Sequence, residues 1–187
     1  MIHSVKFKAV LDTNVIYPIV IRDLLFWFAF YELYTPKWSI TIFKEWKEVM
    51  IRKGITNDEA EKRVQRANTA FPDALVFNYE SLLATLTLPD ENGIHVLAAA
   101  IKSNADVIVT NNIKDFPEKY LNSFGLKAKS ADDFLTDIID LNPALAIKAY
   151  KEMVLNRKNP NMDDFEVLES LRKVALFDTA NYIHSLL

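Results

Sequence analysis

Two kinds of apolar pattern alternate along the first two thirds of this chain, and that alternation constrains its fold most. "FKAVLD" and "DVIVTNN" are short apolar runs, rich in β-branched residues and ending in polar ones. Parallel strands buried on both faces have this form. "ALVF" and "LKAKS" are weaker strand candidates. Helical patterns over residues 19–33, 40–53, 57–70, 79–86 and 94–103 separate the runs. This order predicts an α/β fold, a parallel sheet flanked by helices. From Ala131 onward only helix is legible: "ADDFLTDIIDL", "PALAIKAYKEMVLNR", "DDFEVLESLRKVAL" and "DTANYIHSLL". Pro143 and Pro160 punctuate this tail, and Asp163 and Asp178 are the expected N-caps. The expected organisation is an α/β domain over residues 1–130 and a C-terminal all-helical lobe over 131–187.

With 187 residues, half of them apolar and a quarter charged, the chain can bury a substantial core. It has no cysteine, which excludes a disulfide framework and thiolate chemistry and suits a reducing compartment. The opening "MIHSVKFKAVLDTNVIYPIV" is interrupted by Lys6, Lys8, Asp12 and Pro18, so neither a signal-peptide core nor a membrane span is expected. A soluble, cytoplasmic protein is the expectation. The net charge of −3 supplies no global attraction to nucleic acid. Any polyanion site must therefore be a local basic patch or depend on a metal.

Ligands of open α/β sheets bind beyond the carboxyl ends of the strands. Asp12, Thr13 and Asn14 after the first strand, and the stretch from Thr110 to Asp115 after "VIV", could therefore share one rim. A plainer reading stands beside this one, with Asp12 capping a helix and Asn111 and Asn112 forming a turn. A third acidic stretch, "LPDENGIHVLAAA", precedes a helix and holds one of only three glycines in the chain. Carboxylates converge stably only around positive charge, and hard divalent cations with oxygen ligands fit that need best.

"AVLDTNVIYPIVIRDLL", "KWSITIFKEW", "LPDENGIHVLAAAIKSNADVIVTNNIKDFP" and "SADDFL", in this order, resemble the PIN domain family, in its toxin-like VapC-type branch with a C-terminal helical extension. The resemblance implies a metal-dependent endoribonuclease using Mg²⁺ or Mn²⁺, the toxin half of a toxin–antitoxin pair. Its implied partners are an RNA substrate, a small antitoxin protein and a second copy of the chain in a homodimer. Carried over by position, it implies Asp12, Glu45, Asp90 and Asp115 as catalytic and metal-binding acids. Asn14, Thr110, Asn112 and Asn92 would support them.

Relatives of this branch usually carry an acid two residues before the histidine, where this chain has Gly93. Two readings fit. Gly93 replaces a lost acid and attenuates activity, or it only gives the backbone freedom to enter a helix. His95 is expected to be a packed, hydrogen-bonded histidine rather than a metal ligand. Arg22 could pair with the acids, touch RNA phosphate or form an ion pair with Asp23 or Glu32. Lys44 and Lys47, near Glu45, could face RNA or simply be solvated. The "LLFWFAFYELY" helix is apolar nearly all round and must be covered by the tail, a second subunit or a partner.

Two rivals are weighed against the nuclease. A phosphotransfer enzyme of the haloacid-dehalogenase type would also place an acid after its first strand, but its second acid would fall at Asn14. A catalytically impaired RNA-binding or antitoxin-binding protein of the same fold remains open because of Gly93.

Overall fold

A computed structural model describes residues 7–187. Lys6, counted above against an apolar leader, lies outside them. The strands are β1 (Lys8–Leu11), β2 (Thr35–Ser39), β3 (Leu75–Val76), β4 (Val107–Val109) and β5 (Lys127–Lys129). All pair in parallel, in the order β3-β2-β1-β4-β5. Helices α1 (Thr13–Ile16), α2 (Ile19–Phe30), α3 (Ile40–Arg52), α4 (Asn57–Ala70), α5 (Glu80–Leu83), α6 (Ile94–Lys102) and α7 (Glu118–Asn122) connect them. The tail is α8 (Ala131–Leu141), α9 (Pro143–Asn156), α10 (Asp164–Lys173) and α11 (Phe177–Leu186). The expected α/β sheet with a helical C-terminal extension is therefore what the chain forms. No helix among the described residues is long and apolar enough to cross a membrane.

Strand β2 is absent from the sequence reading, and Pro36 is the reason. A proline inside a run argues against a sheet interior, because it cannot donate to a neighbouring strand. Successive N–H groups of a strand point to opposite sides. Thr35 N donates to Phe7 O on the β1 side at 2.7 Å, and Trp38 N donates to Ala74 O on the β3 side at 3.1 Å. Pro36 therefore turns its missing donor toward the β3 side, at a level that β3, starting at Leu75, does not reach.

The tail covers the aromatic helix. Leu24, Leu25 and Phe28 of α2 are buried in the core, while α9 packs along another face and Lys148 lies over the Tyr31 ring, 5.7 Å from its centroid. Phe30 alone of the cluster's aromatic rings remains well exposed. Asp163 caps α10 in a reciprocal pair with Glu166, as expected. Asp178 is not a cap: α11 begins one residue earlier, and Leu176 at its N-cap has no side-chain acceptor. The cap comes from α8 instead, where the Asp132 carboxylate accepts from Asp178 N at 3.0 Å and Thr179 N at 2.8 Å. A carboxylate 47 residues away thus satisfies donors that a local cap would normally take.

Candidate active site

Leu11 pairs with Val109 at the carboxyl ends of β1 and β4, so Asp12 and Thr110 leave the sheet side by side. Asp12 does cap α1: its Oδ1 accepts from Thr13 N at 2.6 Å. Its Oδ2 accepts from Asn14 Nδ2 at 2.6 Å and from the Thr110 hydroxyl at 2.7 Å. The cap and the rim are one arrangement. Thr110 is fully buried; its Oγ1 also accepts from Asn14 Nδ2 and from Asn112 N. Asn14 Oδ1 accepts from Asn111 N at 2.9 Å, which ties the two strand ends together.

Glu45 enters from α3, whose start is fixed by Ser39 accepting from Ile42 N. Thr13 donates its hydroxyl to Glu45 Oε2 at 2.6 Å, and His95 Nε2 donates to Oε1 at 2.8 Å. His95 is packed and hydrogen-bonded as expected, and its partner is Glu45, one of the candidate acids, a pairing that no local sequence signal marks. Its Nδ1 is buried and has no partner among the described residues. Thr13, expected only on the rim, is the bridge from the Asp12 loop to Glu45.

Asp90 caps a 3-10 turn (Glu91–Gly93), its Oδ1 accepting from Asn92 N at 3.0 Å and Asn92 Nδ2 at 2.9 Å. Gly93 has φ −78° and ψ −13°, ordinary right-handed helical values. Backbone freedom therefore does not require glycine here. Space is the tighter constraint: a Cβ would meet Leu88 Cδ1 and Phe116 Cζ at 3.2 Å each. Asp115 ends a second 3-10 turn (Ile113–Asp115), and Phe116 behind it is buried.

Asp12, Glu45, Asp90 and Asp115 line a single cavity of about 190 Å³, together with Asn14, Asn92, Gly93 and Asn112. No lysine or arginine is among its lining residues. Burial pushes the Asp12 carboxyl above its ordinary range, and the charge of Glu45 adds to this; hydrogen bonds from Thr110 and Thr13 and the charge of His95 work against it. Burial acts on Glu45 in the same direction, but the bonds from His95 and Thr13, with the His95 charge, outweigh it and hold that carboxyl low. Oxygen donors around partly buried carboxylates that no lysine or arginine faces are a set that suits Mg²⁺ or Mn²⁺. Among the described residues, no three His, Asp or Glu side chains are grouped tightly enough to hold an ion unaided. Mg²⁺ commonly takes one or two protein carboxylates and keeps several waters, so a lining of spaced acids is compatible with it.

The basic residues lie elsewhere. Arg22 does not line the acidic cavity; it pairs with Asp23 at 3.4 Å and lies over the Trp46 ring, 5.4 Å from its centroid. Lys47 is bound to Glu61 at 2.6 Å. Lys44 is exposed on α3.

The PIN domain family model matches residues 8–114, more than half of the chain. The chain belongs to the PIN domain family. The model of the VapC50 C-terminal domain matches residues 131–185, which indicates the VapC-type branch. Among curated proteins the chain is similar to "Putative ribonuclease VapC50" of Mycobacterium tuberculosis, with 42% identity over 79 residues. That alignment covers 40% of this chain and 46% of the relative, so it spans about half the length of that protein. No solved structure matches the chain significantly.

Proposed function

We propose that the chain is a metal-dependent endoribonuclease and the toxin of a toxin–antitoxin pair, hydrolysing RNA phosphodiesters at the acidic cavity. One observation carries this reading: four carboxylates from four separate segments line one cavity that no lysine or arginine lines. Asp12, Glu45, Asp90 and Asp115 would hold Mg²⁺ or Mn²⁺ between them, some directly and the others through the ion's own waters. A bound divalent ion supplies an activated water and neutralises charge on the phosphoryl oxygens. Thr110 and Asn14 fix the orientation of Asp12, and Thr13 and His95 fix that of Glu45. Asn92 and Asn112, on the cavity wall, offer amide donors to the RNA backbone. Lys44, exposed beside Glu45 on α3, would supply positive charge to the substrate path, and Lys47 and Arg22 would add what their pairs with Glu61 and Asp23 leave over. The reading includes a nuclease unit ending near residue 130, a helical extension after it, a small antitoxin partner, a homodimer and a cytoplasmic location.

A second reading, an impaired nuclease retained for binding RNA or antitoxin, is favoured by Gly93. It lines the cavity with a backbone conformation open to any residue, where relatives of the branch usually carry an acid. RNA cleavage and RNA affinity, measured for the parent and Asp12→Asn over a Mn²⁺ titration, separate the two. Cleavage that follows Mn²⁺ and disappears in Asp12→Asn supports the nuclease. Binding without cleavage at any Mn²⁺ concentration overturns it in favour of the impaired protein.

A further inference from the structure

Another cavity is lined by residues of α2, α3 and α4. Its volume is about 370 Å³, and Arg22, Arg63, Arg66, Glu59, Phe26 and Trp46 line it with two small residues of α4. Three guanidinium groups thus face one carboxylate. Glu59 Oε1 accepts from Arg63 Nε at 3.1 Å and stands 3.8 Å from Arg66 NH1, beyond hydrogen-bond reach. Arg63 keeps its two terminal nitrogens, and Arg66 all three guanidinium nitrogens, without a hydrogen bond among the described residues. Arg22 has only 13% of its side chain exposed, and its contacts to Asp23 and Ile16 O are long, at 3.4 and 3.5 Å. Burial opposes its charge; Asp23 relieves this in part and Arg63 adds to it. The cluster therefore has donors and positive charge to spare.

We infer that this pocket binds a backbone phosphate of the RNA strand, outside the acidic cavity, through the guanidinium forks of Arg63 and Arg66 above the Arg22–Trp46 stack. Planar guanidinium forks match phosphate oxygens in pairs. The pocket is larger than a phosphate needs, and Phe26 offers an apolar wall on which the attached nucleoside can lie. Its position favours RNA over a protein carboxylate. Glu45 and Trp46 are neighbours on α3 and point to adjacent faces of that helix, so a strand crossing α3 meets both cavities. A polymer charged at every nucleotide can occupy the two at once. The inference rests on the ribonuclease reading, because it gives the same strand a second anchor.

The test is equilibrium binding of a single-stranded RNA oligonucleotide in chelator, repeated between about 50 and 200 mM salt. Arg63→Gln/Arg66→Gln should bind about ten-fold more weakly, with the slope of log affinity against log salt shallower by about one. Glu59→Gln removes the pocket's own anion and should tighten binding. Arg66 has 71% of its side chain exposed and Arg63 gives up only an i,i+4 pair with Glu59, so a melting curve close to the parent's is the check that the double variant is folded. A parent that binds and cleaves RNA, with an unchanged salt slope in the double variant, overturns the pocket and leaves the nuclease standing. A parent that binds no RNA in chelator overturns the pocket, and one that also cleaves none with Mn²⁺ present overturns both. Loss of affinity for an acidic peptide with none for RNA assigns the pocket to a protein carboxylate and likewise overturns the inference.

Discussion

His95 Nε2 and Glu45 Oε1 are 2.8 Å apart and join α6 to α3 beside the acidic cavity. The bond fixes one of the four acids, and removing it should be felt in stability. Glu45 has 35% of its side chain exposed and keeps its bond from Thr13, so His95→Ala should lower unfolding free energy by about 1 kcal/mol, the net worth of one hydrogen bond to a charged group discounted for solvent. The pH profile gives a sharper signature. Glu45 is held below its ordinary range, so its contribution is present above that range and fades as pH falls through the lowered value. Without His95 the folded-state value rises toward or past the unfolded one, so the loss of stability with falling pH should shrink or reverse. Urea unfolding from about pH 3 to pH 7 checks this; parallel curves for parent and variant would sink it.

Asp12→Asn should leave the fold intact in chelator, with stability within about 1 kcal/mol of the parent. Asp12 is held above its ordinary range, so its ionised form disfavours folding at neutral pH, and the amide removes that term. An opposing loss limits the gain. Asn14 Nδ2 and the Thr110 hydroxyl both donate to Oδ2, and an amide nitrogen there cannot accept. The parent's melting temperature should rise with Mn²⁺ and the variant's should not. A variant that retains the full Mn²⁺ shift would remove Asp12 from the metal set.

Gly93→Asp should raise both the affinity for Mn²⁺ and the RNA cleavage rate, because it adds a carboxylate at the start of α6, where the helix dipole favours an anion. Its Cβ requires Phe116 and Leu88 to give by a few tenths of an ångström. Gly93→Ala measures that steric cost alone, expected to be about 1 kcal/mol. Phe116→Leu in the Asp background should recover it. Equal activity of parent and Gly93→Asp, with Mn²⁺ affinity also unchanged, would mean that position 93 has no share in the site.

Asp132→Ala should destabilise the tail by about 1 to 2 kcal/mol, since two N–H groups of α11 lose their acceptor. Hydrogen exchange should show α11 opening first while the sheet stays protected. Uniform loss of protection across the chain would show that tail and sheet unfold as one unit.

What the sequence discloses follows the range of the interactions. Helix α4, with Thr56 accepting from Glu59 N, and α8, with Ser130 accepting from Asp133 N, carry their own start signals and fall where periodicity puts them. The two strong strands likewise end at Asp12 and near Thr110, which marks the rim. Strand β2 hides because the feature that makes Pro36 tolerable is the shortness of β3, some 40 residues away, and local composition holds no trace of it. The Asp132 cap and the His95–Glu45 bond hide for the same reason. Both are made between segments whose spacing in the chain has no period. Gly93 was legible only as an anomaly; its φ and its neighbours then removed the backbone explanation.

Asn14 bonds Asp12 and Thr110 through one amide nitrogen and accepts from Asn111 through the oxygen. Four residues from two strand ends are therefore locked by protein contacts alone. The entropy of ordering this rim is spent during folding, and a ligand arriving later need not supply it. Affinity at the rim is then governed by charge and by the water displaced, and the loop after β1 can keep its shape through repeated cycles of loading and release.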